Sequence, residues 1–313
     1  MAREPEVFQQ AFDLYCQAEF EKAYNLLTNT ANLPTAWIGR WYEIRMDLAA
    51  RCGWLELAED LLQTALDQGY FYNEFVLRLD EEVKVLQGRP RFESLVERSF
   101  KALQTAQSIS QPQLKILEPE TLQPELHPLM IYLHGNNHTA ADALEEWKPL
   151  VKENWLVALP QSSQISGKNQ FVWNDFDRVD REIPQHYQSI CKAYQIDPQK
   201  TIVSGFSKGG HAAIYAVMRG LIPARGFIAL APFVGDGAWL TQLIQNMENK
   251  ILRGYFILGG KDEDCTPGAI KLIDRLRTYG LTCDMEMFPE MSHEFPDPFD
   301  AVIHRAIQFI LEE

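Results

Sequence analysis

After residue 128, short apolar runs alternate with helical stretches, and that alternation leaves few folds open. The runs are Leu129–Leu133, Trp155–Leu159, Thr201–Ser204, Gly226–Ala231, Gly254–Leu258 and Cys283–Phe288. Helical patterning falls at 140–153, 176–195, 208–220, 267–279 and 298–312. A run of four to six apolar residues without polar interruption reads as a strand buried on both faces, which only helices on either side can provide. The expected fold class is therefore α/β, with a doubly wound, mostly parallel sheet. The last run interleaves polar residues, as an edge strand does. Leu114–Leu117 is a further candidate strand.

The third run leads into Gly205-Phe206-Ser207-Lys208-Gly209-Gly210, and a small-residue helical stretch leaves it. Strand, tight turn and helix with one serine at the apex is the geometry of a nucleophile elbow. The turn leaves no room for a Cβ at Gly205 and Gly209. Gly-x-Ser-x-Gly alone is weak evidence, so the rest of the machinery has to be found. Acyl transfer by serine needs a base, an acid that orients the base, and donors for the oxyanion. In a doubly wound sheet the order is Ser, Asp, His, each at the C-terminal end of a strand. Asp262 follows the run ending at Leu258, and His293 follows the last run. Ser207, Asp262 and His293 thus stand in the required order as candidate catalytic residues. The candidate oxyanion donors are main-chain N–H groups. One belongs to Lys208, directly after the nucleophile. The other belongs to Asn136, with Asn137 next, in the loop His134-Gly135-Asn136-Asn137-His138 after the first run.

These motifs together resemble the carboxylesterase/phospholipase (acyl-protein-thioesterase-like) branch of the α/β-hydrolases. The resemblance covers about residues 112–313 and rests on Leu133-His134-Gly135, Gly205-Phe206-Ser207-Lys208-Gly209-Gly210, Gly259-x-x-Asp262 and Ser292-His293-Glu294-Phe295-Pro296. That branch commonly has Gln where Lys208 stands, and a different loop where Asn136-Asn137 stand. The resemblance implies a serine hydrolase that cleaves carboxylic esters, or thioesters, through an acyl-enzyme without metal or organic cofactor. A serine peptidase of the same fold is the second reading. A helical-repeat binding protein with an inert hydrolase domain is the third.

Residues 1 to about 105 read as all helix, rich in Ala, Leu, Glu and Gln. Ala18–Leu27 lines up with Gly53–Leu62 at an offset of 35 residues, with Ala23 and Ala58 in matching apolar stripes. This period resembles tetratricopeptide repeats. A third unit, from Asp80 into a closing helix at 91–105, is degenerate. A Pro- and Gln-rich stretch follows, so the expected domains are 1–108, helical and tetratricopeptide-like, and 109–313, catalytic.

A net charge of −14, with no basic patch visible in the sequence, argues against a nucleic-acid partner and disfavours an anionic membrane surface. The N-terminus lacks a signal-peptide pattern, and no apolar run has the length of a membrane span. The five scattered cysteines read as free thiols of a cytoplasmic protein. The expected partners are a small ester or acyl substrate and a protein that docks on the N-terminal helices.

Several residues compete with this assignment. Asp264 rivals Asp262 as the acid. His134 and His138 are spaced like a zinc pair but lack a third ligand. Cys265 has no elbow around it. Trp173, Phe206, Phe233, Trp239 and Phe295 are candidates for lining a pocket or for plain packing.

Overall fold

The computed structural model describes residues 5–119, 126–235, 243 and 252–312. Trp239 lies outside the described residues. The chain divides into two compact units, one formed by Ala2–Ser110 with Ile165–Gln170, the other by Gln111–Gln164 with Phe171–Glu313.

In the first unit the helices are α1 (Glu6–Cys16), α2 (Phe20–Thr28), α3 (Ile38–Arg51), α4 (Leu55–Asp67) and α5 (Pro90–Ile109). Helices α2, α4 and α5 begin 35 residues apart. The same step relates three left-handed residues that precede them, Ala18 (φ 57°), Gly53 (φ 76°) and Gly88 (φ 79°). A left-handed residue after a helix lets the chain turn back and satisfy the helix's last carbonyls. Accordingly Glu19 N–H donates to Leu14 O and Trp54 N–H to Ala49 O, both at 2.9 Å. Ala23, Leu27, Ala58 and Leu62 are buried, which places the repeated apolar stripe in the core. Between α4 and α5, where the degenerate third unit begins, the chain makes a π turn at Phe75–Leu79 and a 3-10 turn at Glu82–Leu86.

Ile165–Gln170 departs from the sequence reading, which placed it in the second domain. Its Lys168 ammonium donates to Gln68 O at 2.9 Å and lies 4.3 Å from the Tyr70 ring centroid. Ile165 N–H donates to the Gln107 side-chain oxygen at 3.1 Å. These polar contacts bind a segment too short and too polar to announce its partner.

The second unit is built on a seven-stranded sheet. Its strands are β1 (Gln113–Leu117), β2 (His127–Leu133), β3 (Leu156–Gln161), β6 (Ile196–Phe206), β7 (Gly226–Leu230), β8 (Arg253–Gly259) and β9 (Thr282–Phe288). The remaining strands, β4 (Ile165–Gly167) and β5 (Gln170–Phe171), form a separate pair. The order is β1-β3-β2-β6-β7-β8-β9, and only β1 runs antiparallel to its neighbour. β9 lies at an edge, as its mixed pattern implied. β6 starts five residues earlier than expected. Asp197-Pro198-Gln199-Lys200, exposed from Pro198 on, reads as a turn, yet Ile196 still pairs with His127 across a bulge.

Alternation along the strands supplies two cores. Leu129, Ile131, Leu133, Val203, Phe227, Phe256 and Leu258 pack under α7 (Phe176–Ala193), α8 (Lys208–Met218) and the helix Thr266–Thr278. Met130, Tyr132, Ile202, Ile228, Leu230 and Ile257 pack under α6 (Leu144–Val151) and the helix Phe299–Leu311. The register aligns Leu133 with Gly205, Gly205 with Ala229, Ala229 with Phe256, and Gly259 with Phe288. The loops that follow β2, β6, β8 and β9 therefore leave one edge of the sheet.

Candidate active site

Ser207 sits between the end of β6 and the first residue of α8 with φ 55° and ψ −121°. An L-residue is held there only by its surroundings. Ser207 N–H donates to Leu230 O at 2.9 Å, and its carbonyl accepts from His211 N–H and Phe233 N–H, both at 3.1 Å. The glycines explain the sharpness of the turn. A Cβ on Gly205 would overlap the Gly209 carbonyl, and one on Gly209 would overlap the carbonyls of Leu133 and His134. The elbow thus packs backbone to backbone against the loop after β2.

Asp262 follows β8 and is buried. Its Oδ2 lies 2.7 Å from His293 Nδ1, and its Oδ1 accepts the Cys265 N–H at 3.1 Å. Both carboxylate oxygens are engaged, while Asp264 is exposed. The glycines of Gly259-Gly260-Lys261-Asp262 bring this turn against the His293 loop. A Cβ on Gly259 would overlap the Met291 and Ser292 carbonyls, and one on Gly260 would stand 2.6 Å from Pro289 O. Lys261 N–H donates to Met291 O at 3.0 Å, fastening the two loops. The His293 ring lies 4.7 Å from the ring of Phe206, the residue before Ser207, and His293 is partly open to solvent.

In the loop after β2 the two asparagines differ. Asn137, at φ 62°, donates its N–H to Phe171 O at 2.8 Å. No acceptor among the described residues takes the main-chain N–H of Asn136, nor that of Lys208 at the start of α8. His134 holds the base of the loop. Its Nδ1–H donates to Gly135 O at 2.8 Å, and its Nε2 accepts from the Gln161 amide at 2.9 Å and from Ser162 N–H at 3.3 Å. Burial pushes its pKa down to about 3, so the ring is neutral with the proton on Nδ1. With both nitrogens engaged, His134 is a structural histidine and not half of a zinc pair.

Comparisons with known proteins agree with this architecture. Residues 4–107 match the family described as "A/B hydrolase-like, N-terminal domain". The helical region thus resembles one that precedes such hydrolases. An uncharacterised protein from Bacillus cereus ATCC 10987 superposes with a TM-score of 0.56 at 24% identity, with 97% of each chain covered. Esterase PE8 gives a TM-score of 0.54 at 16% identity, covering 64% of this chain and 100% of that one. Lysophospholipase-like protein 1 from Mus musculus is 21% identical over 53% of this chain and 79% of its own length. The second unit has the α/β-hydrolase fold, preceded by a helical region.

Three residues near the site carry more than the sequence suggested. His138 lies parallel to Phe206 at 6.1 Å, on a ring that also meets His293, and its buried Nδ1 has no hydrogen-bond partner among the described residues. Its position four residues after His134 was the available signal, but that spacing suggested a metal. Cys265 is buried, and its sulfur lies with the Asp262 and His293 donor atoms within a 4.8 Å cluster. Burial, with Asp262 close by, raises that thiol to about 12, which leaves it a poor nucleophile. Lys208 places Nζ 4.7 Å from the Phe233 ring centroid. Trp173 is fully buried, 5.2 Å from the His134 ring, and therefore packs beneath the site. Phe206 is buried as well, whereas Phe233 is 41% exposed. Phe295 packs on Phe206 at 5.2 Å. No described helix is long and apolar enough to cross a membrane.

Proposed function

We propose that the chain is a serine hydrolase that cleaves carboxylic esters through an acyl-enzyme. The observation that carries this reading is the 2.7 Å contact between Asp262 Oδ2 and His293 Nδ1 at the sheet edge where Ser207 stands in a strained elbow. Asp262 accepts the Nδ1–H of His293, which leaves Nε2 as the base. Nε2 takes the proton of Ser207 Oγ as that oxygen attacks the acyl carbonyl. The tetrahedral oxyanion is held by the free N–H groups of Lys208 and Asn136, and Asn137 is disfavoured because its N–H is already given to Phe171 O. His293 then protonates the leaving alcohol or thiol. Water, activated by the same nitrogen, releases the acid. No step needs a metal or an organic cofactor.

The five cysteines are all free thiols, which supports a reducing compartment such as the cytoplasm. The 35-residue step of the helix starts supports a tetratricopeptide-like arrangement of residues 1–108 and a protein partner for them.

The test is hydrolysis of p-nitrophenyl butyrate beside an aminoacyl-anilide and a thioester. Cleavage of the ester, lost in Ser207→Ala, with fluorophosphonate labelling at Ser207, is the expected result. Cleavage of the anilide alone would favour a peptidase. No labelling and no turnover of any of the three would overturn the reading.

A further inference from the structure

Lys208 is an unusual residue to find beside a nucleophile. Its ammonium is half withdrawn from water, and burial pulls its pKa below the ordinary lysine value. No carboxylate among the described residues lies within ion-pairing distance of it. Its ammonium lies over the face of the Phe233 ring, and the neutral His211 and Cys265 are close enough to feel its charge. The carboxylates that flank Cys265 are engaged elsewhere or turned outward. Asp262 is occupied by His293 and the Cys265 N–H, and Asp264 is exposed. A partly desolvated cation without a counter-ion costs free energy, and a cation–π contact offsets only part of it. Phe233 itself is tied to the nucleophile, because its N–H donates to Ser207 O at 3.1 Å. Lys208 thus follows the nucleophile directly, its ammonium rests on a ring whose main chain holds Ser207, and among the described residues no carboxylate neutralises it.

The geometry points to a preference for esters that carry their own negative charge, with Lys208 as the specificity-determining residue that pairs with that anion. The protein's net charge of −14 repels anions at a distance, so recognition is local and rests on this one ammonium. The inference rests on the esterase reading and adds the substrate class to it. The charge is a carboxylate or similar group on either the acyl or the alcohol side of the ester.

Two matched pairs separate these cases. On the acyl side, p-nitrophenyl hydrogen adipate is compared with its neutral methyl ester. On the alcohol side, 4-carboxyphenyl butyrate is compared with 4-(methoxycarbonyl)phenyl butyrate. The expected result is a kcat/KM ratio favouring the anion in at least one pair, falling tenfold or more in Lys208→Gln and Lys208→Met and largely retained in Lys208→Arg. Because each ratio is taken on one protein, any general loss of activity divides out. The preference should also shrink in 1 M NaCl with the unaltered protein, which needs no variant to fold. Ratios at or below one in both pairs, or a ratio indifferent to Lys208→Gln, would overturn the inference while Ser207-dependent cleavage of the neutral esters left the esterase reading standing. Failure to cleave any of the four would remove both.

Discussion

Asp262 and His293 are 31 residues apart in the chain, yet Oδ2 of one meets Nδ1 of the other at 2.7 Å, and the remaining carboxylate oxygen takes the Cys265 N–H. Asn at 262 can present its amide to the ring and so impose the wrong tautomer. Asp262→Asn should lower kcat on p-nitrophenyl butyrate by about 10³- to 10⁴-fold. Asp264→Asn, at an exposed position, should stay within about twofold of the unaltered enzyme in the same assay.

The elbow predicts a second contrast. Gly209→Ala drives a methyl group into the Leu133 and His134 carbonyls, neither of which can rotate away. We expect a loss of about 3 kcal/mol or more in denaturant unfolding, with activity lost as the oxyanion loop is displaced. Gly220→Ala meets nothing within 4 Å and suffers only from its φ of +68°. It should cost about 1 kcal/mol and leave turnover intact.

Ser207 itself is strained. Glycine at its φ and ψ pays no Cβ penalty. Ser207→Gly should be inactive but more stable than Ser207→Ala by about 1 kcal/mol, measured by thermal melting. Equal stability of the two variants would mean that the strain is absent in solution.

The buried histidines set a pH dependence. Burial holds His134 and His211 at about 3 and His186 at about 4, against 6.5 for an ordinary imidazole. Their neutral forms stabilise the hydrolase unit fully above pH 6.5. That contribution is lost as pH falls toward 4, by about 1.4 kcal/mol per pH unit for each group, because the unfolded chain takes protons that the folded chain refuses. Buried carboxyls in the helical unit act in the opposite sense. Glu43 and Asp47 are raised chiefly by burial, and Asp80 is raised to about 6. Their contribution is present at low pH and lost as pH rises through those values. Hydrogen exchange corrected for intrinsic rates, compared at pH 7.5 and 5.5, should show β2 and α8 losing protection on acidification while α3 gains it.

Much of this architecture was legible in the sequence because the sheet is buried. β2, β7 and β8 are apolar on both faces, so neither strand nor parallel pairing had a competing reading. Ser207 and Asp262 could be named because each follows such a strand, and His293 because it follows the edge strand after them. Other features depend on contacts that no local pattern encodes. The start of β6 was hidden by Asp197-Pro198, whose composition is that of a turn. The attachment of Ile165–Gln170 to the helical unit rests on one lysine and one amide contact. His138 was visible, but its Phe206 partner is 68 residues away, and only the fold puts imidazole against ring.

The backbone contacts at Gly205, Gly209, Gly259 and Gly260 carry an evolutionary consequence. Main-chain atoms touching main-chain atoms set the spacing of the elbow to the loop after β2, and of the Asp262 turn to the His293 loop. Side chains that face the pocket take no part in that spacing. Selection can therefore exchange a residue such as Lys208 without renegotiating the distances between those loops.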